Sequence, residues 1–176
     1  MLYFTSDLHL GHENVIRYSG RPFKNAKEMD STLIANWNAR VQDKDEIYVV
    51  GDFSFHPPHT TESIYNALNG KKHLVRGNHD KQPTLRLPWV SQSDLKVVKY
   101  DSEKIILCHY SMRVWASSHH GSWMLYGHSH GNLSEPKGKT FDVGVDSHDY
   151  YPWSFTEVKA KMDTKAFEKV DHHDVR

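Results

Sequence analysis

The chain has 176 residues, the usual size of one domain, and its 22 basic and 22 acidic side chains give a formal net charge of zero. This balance provides no long-range attraction to nucleic acid or to an anionic membrane surface, although a nucleotide-sized substrate held by local contacts stays compatible with it. The single cysteine, Cys108, excludes an intramolecular disulfide. With no signal-peptide pattern and no apolar stretch long enough to span a bilayer, the sequence predicts a cytoplasmic protein.

Apolar runs divide the first half of the chain into five predicted regular elements. Apolar residues recur every four positions from Met29 to Val41, as on the buried face of a helix, and Asn25 with Glu28 three residues later is typical of a capping box. Residues 11–25 have no clear period and are predicted to form a loop. The regular elements are a strand over residues 2–5, a helix from about 28 to 41, a strand over 47–50, a short helix capped by Thr60 or Thr61 and stopped by Asn69-Gly70, and a strand over 72–76 parallel to 47–50.

The second half of the chain predicts a hairpin, two further strands and a final helix. Residues 95–100 and 104–107 are apolar runs on either side of a short polar turn, which is the pattern of a β-hairpin. Ser154 with Glu157 predicts the start of the last helix, and a strand here is the alternative. Strands are predicted over 123–126 and 140–145, loops over 81–93 and 110–122, and a polar tail that frays from about residue 163. Without a repeat, low-complexity segment or linker, residues 1–176 are predicted to form one domain.

Side chains that can bind a metal ion follow five of the predicted strands. In open α/β sheets ligands bind beyond the carboxyl ends of the strands, so these side chains are expected to meet. A polar turn or a core residue explains any one of them well, but it does not explain five strand ends of the same kind. The candidates are Asp7 and His9, then Asp52, Asn78 and His109, and finally His128 and His130, in a chain with fourteen histidines.

Seven oxygen and nitrogen donors exceed what one closed four-coordinate site needs. They suit two metal ions about 3.5–4 Å apart that share one carboxylate and one water molecule. The ions lower the pKa of that water towards neutrality, so that it can attack phosphorus. Mixed imidazole and oxygen ligation favours Mn²⁺, Fe or Zn²⁺ over Ca²⁺. The donor set therefore indicates metal-assisted hydrolysis of a phosphate ester.

The stretch Gly77-Asn78-His79-Asp80 adds two candidate catalytic residues. The imidazole of His79 can transfer a proton near neutral pH, and the carboxylate of Asp80 can hold that ring in one orientation. A polar turn, in which Asn and Asp cap their own backbone, explains the stretch equally well when it is taken alone.

The order and spacing of these motifs resemble the calcineurin-like metallophosphoesterase superfamily, and in particular a small bacterial and phage branch of it. The motifs that carry the resemblance are Asp7-Leu8-His9, Gly51-Asp52, Gly77-Asn78-His79-Asp80, His109 and Gly127-His128-Ser129-His130, and for the branch the later stretches Phe141-Asp142-Val143-Gly144-Val145-Asp146 and Tyr151-Pro152.

The resemblance implies an α/β fold, a four-layer αββα sandwich of two mixed β-sheets flanked by helices. It also implies two divalent metal ions, for which Mn²⁺ is the preferred candidate and Fe, Zn²⁺, Ni²⁺ or Mg²⁺ are alternatives. One ion would be held by Asp7, His9 and His130, the other by Asn78, His109 and His128, and Asp52 would bridge them. His79, oriented by Asp80, would stabilise or protonate the leaving oxygen.

The leading hypothesis is a phosphodiesterase or phosphomonoesterase that acts on a small phosphate ester such as a nucleotide. A metal-stabilised binding module without turnover is the second hypothesis, and the intact pair of His79 and Asp80 argues against it. A nuclease is the third, and the neutral charge with no stripe of Lys and Arg weakens it for long nucleic acid. The oligomeric state stays open.

Substrate specificity has to come from residues around the metal ions. Trp115 or Trp123 is hypothesised to line the substrate entrance and to stack on a base, and the equally good alternative is that both close the edge of the sandwich. His12, Arg17 and Arg21 follow the first ligand pair and are expected to meet the phosphate.

Overall fold

Two β-sheets form the centre of the computed structural model, which describes residues 1–134 and 137–166. The strands are β1 (Leu2–Thr5), β2 (Glu46–Val49), β3 (Lys71–Val75), β4 (Ser91–Ser93), β5 (Leu95–Tyr100), β6 (Glu103–Cys108), β7 (Trp123–Tyr126), β8 (Thr140–Asp142) and β9 (Trp153–Ser154). The helices are α1 (Glu13–Tyr18), α2 (Ala26–Arg40), α3 (Pro58–Ala67), α4 (Gln82–Leu85) and α5 (Phe155–Asp163), with short 3₁₀ helices at Ser118–His120 and Val145–Ser147.

Both sheets are mixed, as the resemblance implied. The first has the order β4-β3-β2-β1-β9, in which β1 to β4 are parallel and β9 is antiparallel to β1. The second has the order β5-β6-β7-β8, in which only the pair β5 and β6 is antiparallel. The parallel strands of each sheet therefore end at one edge, and the loops that follow them can meet there.

Side chains alternate between two apolar clusters along the strands of the first sheet. Tyr3 and Ile47 face the helical layer, where they pack in one cluster with Met29, Leu33 and Trp37 of α2. The neighbouring residues of the same strands, such as Phe4 and Tyr48, belong instead to the cluster with Ile105, Leu107 and Leu125 of the second sheet. Because adjacent side chains of a strand point to opposite faces, one sheet closes two core layers.

The outer face of the second sheet packs against the segment between β6 and β7. Trp115 of this segment forms a third cluster with Ile106, Met124 and Tyr126. The confirmed architecture is thus a sandwich of two mixed sheets with α1 to α4 on the side of the first sheet. In the part of the chain that the structure describes, no helix is both long and apolar enough to cross a membrane.

Most of the predicted regular elements are present at nearly the predicted positions. The helix predicted from residue 28 begins two residues earlier, and the side chain of Asn25 accepts the backbone N–H of Glu28 at 2.9 Å, as the capping pattern indicates. Strands β1, β5 and β7 have the predicted bounds. The final helix starts at a capping box formed by Ser154 and Glu157. The predicted frayed tail lies largely outside the described residues, which end at residue 166.

Four local predictions were wrong. Residues 11–25 are not all loop, because helix α1 forms where Val15 and Ile16 bury a two-residue apolar face that is too short to show a period. Helix α3 starts with Pro58 at its first turn and has no side-chain cap, so neither threonine caps it. The predicted loop over 81–93 contains the short elements α4 and β4. The strand predicted over 140–145 ends at Asp142, before the 3₁₀ turn.

The hypothesis that a tryptophan lines the substrate entrance was wrong for both candidates. Trp123 is fully buried between the sheets, where its ring stacks on Phe155 with centroids 5.7 Å apart. Trp115 is 7% exposed, and its indole N–H donates to the backbone oxygen of Ser122 at 3.0 Å. Both rings are therefore buried, as the alternative expected, with Trp123 between the sheets and Trp115 against the outer face of the second sheet.

We expect Trp123→Ala to lower the free energy of unfolding by about 3–5 kcal/mol, because it leaves a cavity the size of an indole ring in the core. Denaturant unfolding of the two proteins measures this difference. Tyr18→Ala is the matched control, because Tyr18 is 77% exposed and its loss should change stability by no more than about 0.5 kcal/mol. A Trp123→Ala protein of unchanged stability would contradict the assignment of this ring to the core.

Candidate metal centre

The seven candidate metal ligands come together where parallel strands of both sheets end. The ligand atoms of Asp7, His9 and His130 lie within 4.8 Å of one another, and so do those of Asp52, His109 and His128. The first group joins the end of β1 to the loop after β7, and the second joins β2, β6 and β7. Each group therefore depends on both sheets.

Asp52 belongs to the second group and also reaches His9 of the first. One of its carboxylate oxygens, Oδ2, is 3.4 Å from Nε2 of His9 and 3.5 Å from Nε2 of His109. Asn78 joins the second group, because its side-chain oxygen is 3.0 Å from Nε2 of His109 and 3.0 Å from Nδ1 of His128. This arrangement is compatible with the ligand division and the shared carboxylate that the resemblance implies.

Two carboxylates of the centre also connect the loops to one another. Oδ2 of Asp7 accepts the backbone N–H of His128 at 2.9 Å, and Oδ1 of Asp52 accepts the backbone N–H of His79 at 2.8 Å. Each carboxylate thus uses one oxygen to position the loop of another candidate residue and directs the other oxygen into the cluster. Hydrogen bonds from a backbone N–H to a charged carboxylate are stronger than those between neutral groups, so these bonds keep the loops in register.

Backbone strain is concentrated at the candidate ligands. Non-glycine residues seldom adopt positive φ, and each one that does costs about 1–3 kcal/mol. Five of the seven ligands are in this region: Asp7 (φ 54°), His9 (50°), Asp52 (58°), His128 (66°) and His130 (48°). Such strain persists only where the surrounding structure holds it, and it is typical of functional sites.

Three glycines of the motifs allow the ligand loops to approach one another. A Cβ atom at Gly51 would overlap the ring of His109, and a Cβ at Gly77 would overlap the carboxylate of Asp52. A Cβ at Gly127 would lie 2.5 Å from Oδ2 of Asp7. These three positions therefore need glycine for space, because any side chain would occupy the volume of a ligand.

Asp146 and Arg21 support the first ligand group, and the sequence analysis missed this role for both. Oδ2 of Asp146 lies 2.7 Å from Nδ1 of His130, and the guanidinium of Arg21 binds both oxygens of the same carboxylate at 2.7 and 2.8 Å. Arg21 also donates to the backbone oxygens of Asp7 and Leu8. The sequence could have pointed to Asp146, since this carboxylate follows β8 at the same sheet edge as the other candidates.

Of the three residues predicted to meet the phosphate, Arg21 and Arg17 have other partners and His12 reaches the cluster. Arg21 is only 4% exposed and is occupied by the partners just described, so that prediction was wrong. Arg17 is exposed and donates to the side chain of Asn14 at 2.7 Å. His12 does reach the cluster, where its Nδ1 lies 3.1 Å from Nδ1 of His9.

The structure gives Asp80 a different role from the predicted one. Its carboxylate is buried and accepts three backbone N–H groups, from Gly77 at 2.8 Å, Asp52 at 3.0 Å and Phe53 at 2.9 Å. Asp80 therefore ties the loop after β2 to the loop after β3, instead of orienting the ring of His79. The ring of His79 is exposed, and its centroid lies 5.6 Å from that of His9.

Buried polar atoms without a partner show that the cluster fits a cation. Oδ1 of Asp7 and Nε2 of His9 have no hydrogen-bond partner among the described residues, although both residues are nearly inaccessible to solvent. Such atoms cost about 1–3 kcal/mol each when they stay unpaired. Burial raises the pKa of Asp7 to about 7 and lowers the pKa of His9 to about 4. A divalent ion would satisfy both atoms, so the donor set and its burial fit the predicted metal.

In the second group, charged neighbours shift the pKa values of His109 and Asp52 more strongly than burial does. Burial lowers the pKa of His109, but the carboxylates of Asp52 and Asp7 outweigh it and raise the pKa to about 9. Burial likewise raises the pKa of Asp52, but the contacts with His109 and His9 hold it below its usual range. Without a cation, a proton on His109 therefore balances the Asp52 carboxylate.

Known proteins resemble this chain in sequence or in fold. Residues 1–145 match the sequence profile of the calcineurin-like phosphoesterase superfamily domain. An uncharacterized protein of Methanocaldococcus jannaschii is 36% identical over 161 residues, which cover 87% of this chain and 86% of that protein. The Gene 66 protein of Mycobacterium phage D29 is 26% identical, and the match covers 86% of this chain and 91% of that protein. A solved protein of unknown function from Aquifex aeolicus has a TM-score of 0.77 and 26% identity, over 92% of this chain and 98% of that chain.

We expect Gly77→Ala to weaken Mn²⁺ binding by about tenfold or more, since the added methyl group must displace the carboxylate of Asp52 and overpacking of this kind costs about 1–3 kcal/mol. Calorimetric titration with Mn²⁺ measures the change. Gly20→Ala is the control, because no atom lies within 4 Å of its added Cβ and its positive φ should cost only about 1 kcal/mol of stability. Equal Mn²⁺ affinity in the two variants would contradict the steric argument.

We expect the affinity for Mn²⁺ to rise with pH between about 6 and 8, by about tenfold per pH unit for each proton released. Asp7, with a pKa of about 7, and His109, with a pKa of about 9, both carry protons at pH 6 that the ion must displace. Titrations in two buffers of different ionisation enthalpy count these protons. An affinity that does not change with pH would show that neither group binds the ion.

Proposed function

We propose that this chain, which belongs to the calcineurin-like phosphoesterase superfamily, is a phosphoesterase that depends on two divalent metal ions. The match of residues 1–145 confirms the family predicted from the motifs, and binding of divalent metals is a property of that family. The observation that carries the proposal for this chain is that one carboxylate oxygen of Asp52, a member of the second group, lies within 3.5 Å of a histidine of each group. A centre of this kind suits two neighbouring cations better than one.

The proposed ligands follow from these two groups. Asp7, His9 and His130 would hold one ion, Asn78, His109 and His128 would hold the other, and Asp52 would be shared between them. Mn²⁺ is the proposed metal, because mixed imidazole, amide and carboxylate ligation suits it, and Fe, Zn²⁺, Ni²⁺ and Mg²⁺ are the alternatives. When bound, the two ions supply Lewis acidity towards the phosphoryl oxygens and lower the pKa of a water molecule.

His79 is the proposed general acid. Its ring is exposed beside the first ligand group, so a substrate oxygen can reach it from solvent. Its backbone N–H is bound to Oδ1 of Asp52, which places the residue at the edge of the centre. A proton that passes from the imidazole to the leaving oxygen makes the alcohol a better leaving group. Asp80 acts through the backbone, because it holds the loops that carry Asp52 and His79.

A small phosphate ester is the proposed substrate. The chain has no net charge, whereas a protein that binds long nucleic acid needs several cationic side chains along the phosphate backbone. Both His79 and His128 are exposed, so the centre is open to a ligand of modest size. The cytoplasmic location stays a prediction from the sequence.

Hydrolysis of p-nitrophenyl phosphate and bis(p-nitrophenyl) phosphate by the purified protein tests the proposal. We expect release of p-nitrophenolate that requires Mn²⁺ and stops when a chelator is added. His79→Ala should lower turnover by about 10²–10⁴, the usual contribution of a general acid, while Mn²⁺ stays bound. His59→Ala is the matched control, because His59 is an exposed histidine of α3 outside both ligand groups.

Each other outcome points to a different hypothesis. A protein that binds Mn²⁺ but hydrolyses neither ester is the metal-stabilised binding module. Turnover that survives the loss of His79 removes the general-acid role and leaves the metal centre in place. Cleavage of long nucleic acid with no activity on either small ester supports the nuclease.

A further inference from the structure

Two aromatic side chains lie exposed against the candidate metal centre. Among the described residues, the exposed aromatic side chains are Tyr18, Phe55, Tyr100 and Tyr110. Phe55 is 40% exposed and Tyr110 is 48% exposed, and both are in ring contact with candidate metal ligands. Exposed aromatic rings are unfavourable in water, and their concentration at a site is typical of a surface that a ligand covers.

Phe55 lies beside the first ligand group. Its ring centroid is 5.2 Å from that of His9 and 5.0 Å from that of His79, the proposed general acid. His12 supports it, since the two rings stack at 4.0 Å with their planes 14° apart. The phenyl ring is thus in direct contact with a candidate metal ligand and with the proposed general acid.

Tyr110 lies beside the second ligand group. Its ring centroid is 5.1 Å from that of His109 and 4.8 Å from that of His128, and both contacts are edge-on. Each of the two ligand groups therefore has one exposed aromatic ring at its border. We call Phe55 and Tyr110 together the aromatic rim.

The backbone holds the rim in place. The N–H of Phe55 donates to the backbone oxygen of Leu10 at 2.8 Å. Asp30 of α2 accepts the backbone N–H of Gly11 at 2.9 Å with one oxygen and lies 2.7 Å from Nε2 of His56 with the other, so it joins the segments that carry His12 and Phe55. On the other side, the backbone oxygen of His109 accepts the N–H of Gly127 at 3.0 Å. Rings on fixed backbone lose little entropy when a ligand covers them.

We infer that the aromatic rim binds a planar aromatic group of the substrate, so that the preferred esters are aryl or nucleoside phosphates and not phosphates of sugars or aliphatic alcohols. The inference rests on the proposed function, because the rim borders the ligands that would receive the phosphate. Stacking on an aromatic side chain tolerates any planar ring, which is why phenyl and nucleobase groups share this chemistry.

Binding of paired ligands to the Mn²⁺-loaded protein tests the inference, and the first pair does so without turnover because it has no ester bond. Phenylphosphonate and methylphosphonate carry the same head group on a carbon–phosphorus bond, and only the first has a ring. Thymidine 5′-monophosphate and 2-deoxyribose 5-phosphate form the second pair. We expect the ring-bearing member of at least one pair to bind about fivefold or more tightly, which is the lower end of the contribution of one stacked base.

Substitutions of the rim connect this preference to the two rings. Phe55→Leu and Tyr110→Leu keep an apolar side chain and remove the ring, and at least one of them should bring the preference close to one. Phe55→Tyr keeps the ring at that position and should keep the preference. Tyr100→Leu is the matched control, because Tyr100 is 39% exposed and pairs with Glu103 at the opposite end of β6 from His109. Unchanged Mn²⁺ affinity in each variant shows that the centre has stayed intact.

The outcomes separate the inference from the proposed function. A preference limited to the thymidine pair identifies a nucleoside as the ring, and one limited to the phosphonate pair identifies an aryl group. Equal affinities within both pairs for the unchanged protein, or a preference that survives both leucine variants, would overturn the inference. A protein that shows the ring preference but hydrolyses no ester would contradict the proposed function alone.

Discussion

Strained backbone at the candidate ligands is the constraint on which the rest of the site depends. Five of the seven residues have positive φ, which side chains other than glycine rarely adopt. The strain is held by hydrogen bonds between loops, in which Asp7 fixes the backbone of His128, Asp52 fixes that of His79, and Asp80 fixes those of Asp52 and Phe53. Because each loop is positioned by a side chain from another, the conformations of the ligand loops depend on one another.

The two sheets meet at this unit. β1 continues into a bridge between Ser6 and Gly144, and Ser6 accepts the N–H of Val145, so the end of the first sheet is joined to the end of the second. Glycines at positions 51, 77 and 127 leave the space that the ligands of neighbouring loops occupy. The unpaired buried atoms of Asp7 and His9 lower the stability of the folded chain. A bound cation would remove this cost, which links metal binding to the stability of the folded chain.

Residues outside the ligand set orient the ligand side chains and form the border of the centre towards solvent. Arg21 and Asp146 hold His130 from behind, with the guanidinium bound to the same carboxylate that contacts the imidazole. Support of this kind keeps the ring of a metal-binding histidine in one orientation and makes it a better donor. On the solvent side, the exposed rings of Phe55 and Tyr110 give the open centre an apolar border. The buried side is thus built from charge pairs, and the border from aromatic rings, which suits a substrate with an anionic head and a planar organic group.

The sequence by itself determined the family and the set of side chains that follow the strand ends, because motifs and strand periodicity are local properties of the chain. The mixed α/β sandwich was implied by the resemblance to that family. It could not show that Asp80 binds three backbone N–H groups, that Arg21 is buried against Asp146, or that Trp115 and Trp123 lie in the core while Phe55 and Tyr110 stay exposed. Helix α1 was missed for a related reason, since its two buried residues give no period. Only the tertiary structure decided these points, because they depend on contacts between segments that are distant in the chain. Whether a side chain is buried or exposed follows from the packing of the two sheets and not from its neighbours in the sequence.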